Sequence, residues 1–222
     1  DTKEGYVVTK GWTNKTKEKP EELIKKLEPY CFGFLFTNVD KEGLMQGIDW
    51  GIVKKLKAIT KNNLTVAGGI SSIEDIKKLE SLGVDSQLGM ALYKGKIKLD
   101  EAFISLLDFR KNARTASGTN SVGNGLIPTI AQDDKKQVLM LAFSNKESLL
   151  RTFKTGKATY YSRSRKKLWK KGETSGNYQE ILRVKYDCDK DTLLFIVRQK
   201  NVACHKGRYS CFADEEFTLE GL

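Results

Sequence analysis

The sequence predicts two domains of different class: an α/β half-barrel of four βα units over residues 1–111, and an α+β, mostly antiparallel domain over residues 126–222. Three observations predict it. In the first stretch, short apolar runs alternate with amphipathic helical ones, the grammar of a parallel sheet covered by helices. Between the stretches, RKNARTASGTNSVGNG (110–125) is small, polar and glycine-punctuated, and residues 112–125 read as a linker. Beyond it, five strand-like runs follow with one helix among them.

The elements follow in order. YVV (6–8) reads as a strand, and a helix opens at Pro20 with Leu23, Ile24 and Leu27 on one face. FGFLF (32–36) is a second strand, with Cys31 at its start read as core, and it precedes a helix around 52–59. LTVAGG (64–69) leads through Ser71 and Ser72, a predicted N-cap, to a helix ending near Leu82. VDSQLG (84–89) leads to a last helix near 100–109. Four such units leave two unpaired strand edges, which another half-barrel, or pairing between copies, would have to cover. In the second domain LIPTIAQ, QVLMLAF, ATYYSRS, ILRVKYD and TLLFIVRQ read as strands, with a helix over 146–155 entered through SNKES.

Composition narrows the function classes. The 222 residues suit one large or two modest domains, and no apolar run approaches the roughly 20 residues that span a bilayer. The amino terminus has no signal-peptide profile and no initiating Met, so the expectation is a cytoplasmic protein, read here as part of something longer. Net charge is +11, from 39 basic and 28 acidic residues. A lysine-rich solvated surface, a phosphate-bearing small substrate and a polynucleotide all fit that excess. Four cysteines do not make a disulfide scaffold at this length.

The chemistry concentrates in DCDKDTLLFIVRQKNVACHKGRYSCF (187–212), which holds three cysteines and the one histidine of the chain. Cys188, Cys204 and Cys211 have the spacing C-x15-C-x6-C. Three thiolates bind zinc and leave a fourth position for water, whose ionisation near neutral pH makes it a nucleophile. His205 is either that fourth ligand or a general base, and alternation along an extended segment favours the base by turning it away from Cys204. Asp187, Asp189 and Asp191 alternate, so an extended segment puts their carboxylates on one face. A hard dication such as Mg2+ or Ca2+ would relieve their repulsion, and a solvated acidic turn is the plain alternative. Cys188 then points opposite, which suggests two metals rather than one. SRSRKKLWKKGETSGN (162–177) joins Arg163, Arg165, Lys170 and Lys171 to Trp169 in a loop that could cradle a phosphate and stack a base. In the first domain, Gly68-Gly69 and Gly89 at strand ends read either as turn residues or as an anion cradle.

GLIPTIAQD, VLMLAF, YYSRSRKKLWKKGETSGN, DCDKDTLL and CHKGRYSCF together resemble phosphoribosyl-AMP cyclohydrolase of histidine biosynthesis. The resemblance implies hydrolytic opening of the adenine ring of phosphoribosyl-AMP between N1 and C6, with Zn2+ and Mg2+ as cofactors. It implies Cys188, Cys204 and Cys211 as zinc ligands, Asp187, Asp189 and Asp191 as Mg2+ ligands, and His205 as the family's histidine. It also implies a homodimer whose zinc draws ligands from both chains. Arg163, Ser164, Trp169, Lys170, Gly172, Glu173, Thr174, Ser175, Gly176 and Asn177 are the expected substrate-binding residues.

DTKEGYVVTKGW, FTNVDKEGLMQGID, VAGGIS and GMALYKGKI are similar to the C-terminal half of the (βα)8 isomerase that rearranges ProFAR, the next step of the same route. That resemblance implies phosphate loops at Gly68, Gly69, Gly89 and Met90, a catalytic acid at Asp1, and Thr37 near it. The first four βα units have no counterpart, so no isomerase activity is expected from this chain alone, and the chain reads as the C-terminal portion of a fused isomerase–cyclohydrolase. A zinc-stabilised basic nucleic-acid module is the rival from another class and would show steep salt dependence. The expectation is a small phosphoribosyl nucleotide as partner, with no nucleic acid and no membrane.

Overall fold

The structure, a computed structural model, describes residues 1–110 and 125–213. It divides into two compact units at Leu106/Leu107. Of the predicted linker, 112–125, Gly125 alone is described. Among the described residues no helix is long and apolar enough to cross a membrane.

The first unit opens with β1 (Thr2–Lys3), β2 (Tyr6–Thr9) and β3 (Asn14–Lys15), an antiparallel meander in that order. This corrects the first of the four predicted βα units. Glu4 and Gly5 turn the chain back at φ 52° and 76°, and Lys10, Gly11 and Trp12 turn it again, all at positive φ. The apolar run 6–8 therefore pairs with its own neighbours, and hairpin turn chemistry overrides the βα rhythm. Three parallel strands remain: β4 (Gly33–Thr37), β5 (Asn63–Ala67) and β6 (Asp85–Gln87), with β5 central.

The helices of this unit are α1 (Pro20–Leu27), α2 (Trp50–Ile59), α3 (Ile73–Ser81), the short α4 (Met90–Tyr93) and α5 (Leu99–Ser105). Pro20 begins α1, and a capping box between Ser72 and Asp75 begins α3, as residue type dictates. Phe36, Leu64 and Val66 from the sheet pack with Val53, Leu56, Ile76 and Leu79 from the helices. Each such fully buried aliphatic side chain contributes about 1.5–3 kcal/mol. Cys31 is not core: it is half-buried, its thiol donates to the Leu27 carbonyl at 3.4 Å, and Phe32 beside it is 86% exposed.

The second unit is built on a four-stranded sheet of order β11-β12-β7-β8. Its strands are β7 (Ile127–Asp133), β8 (Val138–Ser144), β11 (Gln179–Tyr186) and β12 (Leu193–Gln199). The sheet is mixed, since β12 and β7 run parallel at its centre while the outer pairs are antiparallel. The helix α6 (Lys146–Thr155) occupies its predicted range, begun by a capping box of Asn145 and Ser148 and ended by Gly156 at φ 65°. The basic segment is a hairpin rather than a loop: β9 (Thr159–Ser162) pairs antiparallel with β10 (Lys167–Lys170). Tyr160, Leu139, Leu149, Phe195 and Val197 are fully buried in this core.

Candidate active site

The three aspartates meet in the turn between β11 and β12. Asp187, Asp189 and Asp191 each offer an oxygen within 4.8 Å of the others, and among the described residues they form the one such trio of ligand-type side chains. The convergence has a different cause from the one expected. Residues 187–192 are a turn, with Lys190 at φ 60°, not an extended segment. Asp187 Oδ1 accepts the backbone N–H groups of Asp191 at 3.0 Å and Thr192 at 3.1 Å, which folds the ends of the triplet together. Partial burial acts to raise the Asp187 carboxyl, and hydrogen bonds from Thr192 and Asp191 outweigh it and hold it below the usual carboxylate range.

Cys204 and Cys211 come together at the other end of β12. The Ala203 and Cys204 N–H groups donate to the Tyr209 and Arg208 carbonyls at 3.1 and 3.0 Å, closing a tight turn over 203–209. Ser210 Oγ donates to the Val138 carbonyl at 2.7 Å and Cys211 N–H to the Leu139 carbonyl at 2.8 Å, which fasten the far side of the turn to β8. The two thiols perturb each other's ionisation. The Lys206 backbone N–H on the Cys204 sulfur, 3.4 Å away, is the main cause that holds the Cys204 thiol below its ordinary value. Burial, then the Cys204 charge, push the Cys211 thiol up. Both sulfurs line a cleft of about 450 Å³ with His205, Lys171, Trp169, Ser175 and Asn177. Because 201–206 is not a strand, the alternation that turned His205 away from Cys204 does not operate, and both residues face the same cleft.

Cys188 does not join them. It is exposed, inside the aspartate turn, and the seven residues of β12 separate that turn from the Cys204 end by roughly 20 Å of strand. Three thiolates, or three thiolates and His205, therefore do not close around one ion within a single chain.

A family model described as phosphoribosyl-AMP cyclohydrolase matches residues 140–213, and one described as histidine biosynthesis protein matches residues 1–98. The phosphoribosyl-AMP cyclohydrolase of Archaeoglobus fulgidus is 64% identical over 89 residues, which cover 40% of this chain and 82% of that protein. The chain belongs to the phosphoribosyl-AMP cyclohydrolase family. The enzyme of Methanocaldococcus jannaschii is 58% identical over 93 residues, 42% of this chain and 73% of that protein, and that of Haloquadratum walsbyi 57% over 90, 40% and 68%. This makes the chain a hydrolase of histidine biosynthesis, with a histidine-biosynthesis unit ahead of the cyclohydrolase part.

Within the cyclohydrolase part the expected substrate-binding residues separate into two groups. Trp169, Ser175 and Asn177 line the cleft. Arg163 instead lies over the Phe143 ring at 3.8 Å, Ser164 sits 3.4 Å from Ser162, and Lys170 lies 5.6 Å from the Tyr178 ring. Gly172, Glu173, Thr174 and Gly176 form the turn that carries Ser175 and Asn177, with Gly176 N–H donating to the Gly172 carbonyl at 2.9 Å. Lys171, placed by the sequence in the basic, phosphate-cradling loop, is not among the expected substrate-binding residues. It is 8% exposed and lines the cleft; burial lowers its ammonium pKa, opposed by the two cysteines. The signal was present: Lys171 directly follows β10, its N–H still bonded to the Ala158 carbonyl at 3.0 Å, so alternation from Trp169 puts it on a face that Lys170 does not share.

In the unit ahead of the cyclohydrolase part, Gly68, Gly69, Gly89 and Met90 line one smaller cleft of about 190 Å³, together with Thr37, Trp12 and Glu42. Asp1 does not line it and is tied to it through Trp12, whose Nε1 donates to Asp1 Oδ2 at 2.8 Å.

Proposed function

We propose that this chain hydrolyses the N1–C6 bond of the adenine ring of phosphoribosyl-AMP at a centre assembled from two copies of the chain. The observation that carries this reading is the pairing of Cys204 with Cys211 in a 450 Å³ cleft while Cys188 lies beyond the far end of β12. The donor sets fit the implied metals. Two adjacent sulfurs, one held towards thiolate, suit a soft-tolerant ion such as zinc once a third sulfur arrives, and three converging carboxylates suit Mg2+. In a two-fold dimer, Cys188 of each chain completes the Cys204–Cys211 pair of the other. Cys188 lies within the aspartate triplet, so the Mg2+ site of one chain then stands beside the cleft of its partner.

Zinc, when bound, supplies an ionised water near neutral pH as the nucleophile for C6. The chain's residues do the rest. Trp169 stacks on the purine, and Ser175 and Asn177 bond its edge or ribose. Lys171 offsets the negative charge of the thiolates. The attacking oxygen bonds to C6, the C6–N1 bond breaks, C6 becomes a carboxamide carbon, and N1 takes a proton. His205 accepts the proton of the attacking water on an imidazole nitrogen and relays it towards N1. The aspartates and their cation hold the phosphate of the substrate, with Arg163, Ser164, Lys170 and the 172–176 turn along its approach.

Subunit mixing tests this reading. Cys188→Ala and Cys204→Ala homodimers each lose both centres, whereas their heterodimer keeps one. Mixing equal amounts should restore about a quarter of wild-type turnover on phosphoribosyl-AMP. Exchange of subunits without any recovery would sink the shared centre.

A second reading concerns residues 1–106. The sheet face opposite the helices carries the register row Leu35, Thr65 and Asp85, with Leu35 53% exposed. We infer that this face receives further strands of a (βα)8 barrel, with Asp1 as acid and Gly68, Gly69, Gly89 and Met90 holding phosphate for ProFAR isomerisation. An N-terminal half-barrel added in trans should then restore isomerase turnover. A closed, soluble barrel that stays inactive would refute it.

A further inference from the structure

Tyr160, Gln179 and Gln199 form a polar chain through the core of the second unit. Tyr160 and Gln179 are both fully buried. The Tyr160 hydroxyl donates to Gln179 Oε1 at 2.7 Å, and Gln179 Nε2 donates to Gln199 Oε1 at 2.9 Å. Gln199 Nε2 then meets three backbone carbonyls, of Lys200 at 2.7 Å, Val202 at 3.2 Å and Tyr178 at 3.4 Å. Three acceptors around one atom leave a single polarity. An amide oxygen placed there would face three carbonyl oxygens, so Gln199 must present its NH2 group to them. Gln179 must then give its own NH2 to Gln199 and its oxygen to Tyr160, which must donate. Burial pushes the Tyr160 phenol far up, so that donor persists at every working pH.

The two ends of this chain abut residues that line the cleft, Trp169 and Val202. Tyr160 lies 5.1 Å from Trp169, ring to ring, and Val202 is two residues before Cys204. We propose that Gln179 and Gln199 are positioning residues that fix the 200–204 segment, and with it the Cys204 sulfur, against the wall that carries Trp169. This rests on the reading of the cleft as the reaction centre. A generic core contact would tolerate either amide orientation. Here the orientation is dictated from the segment that delivers the ligand.

Two isosteric variants separate this role from simple stability. Gln199→Glu keeps the acceptor for Gln179 and turns the side-chain donor to the Lys200, Val202 and Tyr178 carbonyls into an oxygen, while the Tyr178 carbonyl keeps the Lys200 N–H at 2.9 Å. Tyr160→Phe keeps the ring against Trp169, removes the far donor, and leaves the loop end intact. Amide hydrogen exchange at Ala203 and Cys204 is measured on the metal-free full chain. The zinc dissociation constant follows by chelator competition, with kcat and KM and the melting temperature. Gln199→Glu should accelerate exchange at both amides, weaken zinc roughly 10-fold or more, and lower kcat more than it raises KM. Tyr160→Phe should lower the melting temperature and leave zinc affinity unchanged. Equal effects of the two variants on exchange and zinc, or no effect of Gln199→Glu on either, would overturn the proposal. A wild-type chain that binds no zinc would instead sink the zinc reading, while the exchange comparison still decides the relay.

Discussion

The 172–177 turn offers a test in which two substitutions share everything but their surroundings. Gly172 and Gly176 both sit in left-handed backbone, at φ 79° and 74°. An alanine in that region costs about 1–2 kcal/mol at either position. A Cβ on Gly176 would meet nothing within 4 Å. One on Gly172 would lie 2.4 Å from the Asn177 carbonyl carbon, 2.5 Å from Tyr178 N and 2.6 Å from Asn177 O, all backbone. To reach ordinary contact near 3.4 Å the Asn177–Tyr178 peptide must shift by about 1 Å. Overpacking of this kind adds about 1–3 kcal/mol. That peptide carries Asn177 on the cleft wall, and Asn177 Oδ1 accepts Asn201 Nδ2 at 3.1 Å, so the displacement enters the cleft. Gly176→Ala should therefore melt some 4–8 °C lower per kcal/mol and lose far less turnover than Gly172→Ala. Gly172→Ala should melt lower still and lose at least 10-fold in kcat/KM, as misplacement of about 1 Å does. Thermal melts by circular dichroism and steady-state hydrolysis of phosphoribosyl-AMP measure both. Variants that match in melting temperature and in kcat/KM would refute the argument from backbone contact.

Two further outcomes follow from single side chains. Lys171→Met should weaken zinc roughly 10- to 100-fold in chelator competition with Lys171→Arg recovering part of it, because the thiolates lose the cation that faces them. Glu28 is held below the usual carboxylate range first by the Thr60 hydroxyl at 2.5 Å, and then by the backbone N–H groups of Lys61 and Asn62. Its stabilisation is complete above the ordinary glutamate pKa and disappears as pH falls through the lowered one, so Glu28→Gln should flatten the acid limb of unfolding of the first unit, followed by circular dichroism from pH 6 to 2.

The parts of this molecule that were legible in the sequence are those set by local chemistry. Asn145 with Ser148, and Ser72 with Asp75, announce their helices because a cap is a contact three residues long. Residues 6–8 do form a strand, but its place in a parallel βα unit was misread for the same reason. Its partners were decided by Glu4-Gly5 and Lys10-Gly11, turn residues immediately beside it, and the apolar run alone says nothing of whether pairing is local or distant. The site shows the complementary limit. Residue types at 188, 204 and 211 carry their chemistry in the alphabet, whereas which of them meet depends on sheet order, a non-local property. Lys171 could have been preferred to Lys170 only by placing a strand at 167–170, and a run of basic residues hides that strand from any apolar periodicity.

Strand β12 makes the strongest case for a centre shared between chains, and one measurement decides it. It lies inside the sheet, bonded to β11 on one side and β7 on the other, and Leu193, Phe195 and Val197 are fully buried. Such a strand cannot fold back on itself without opening the core, so the distance between Cys188 and the Cys204–Cys211 pair is fixed by its length rather than by loop choice. On the proposed two-chain centre, a second copy supplies the third sulfur, and zinc binding and dimerisation are one linked equilibrium. Diluting the zinc-loaded protein below its dimer dissociation constant should release zinc even though every cysteine is intact, and zinc uptake on reconcentration should be second order in protein. A monomer, identified by sedimentation at the same concentration, that retains zinc as tightly as the concentrated sample would place all three sulfurs in one chain and contradict the geometry of β12.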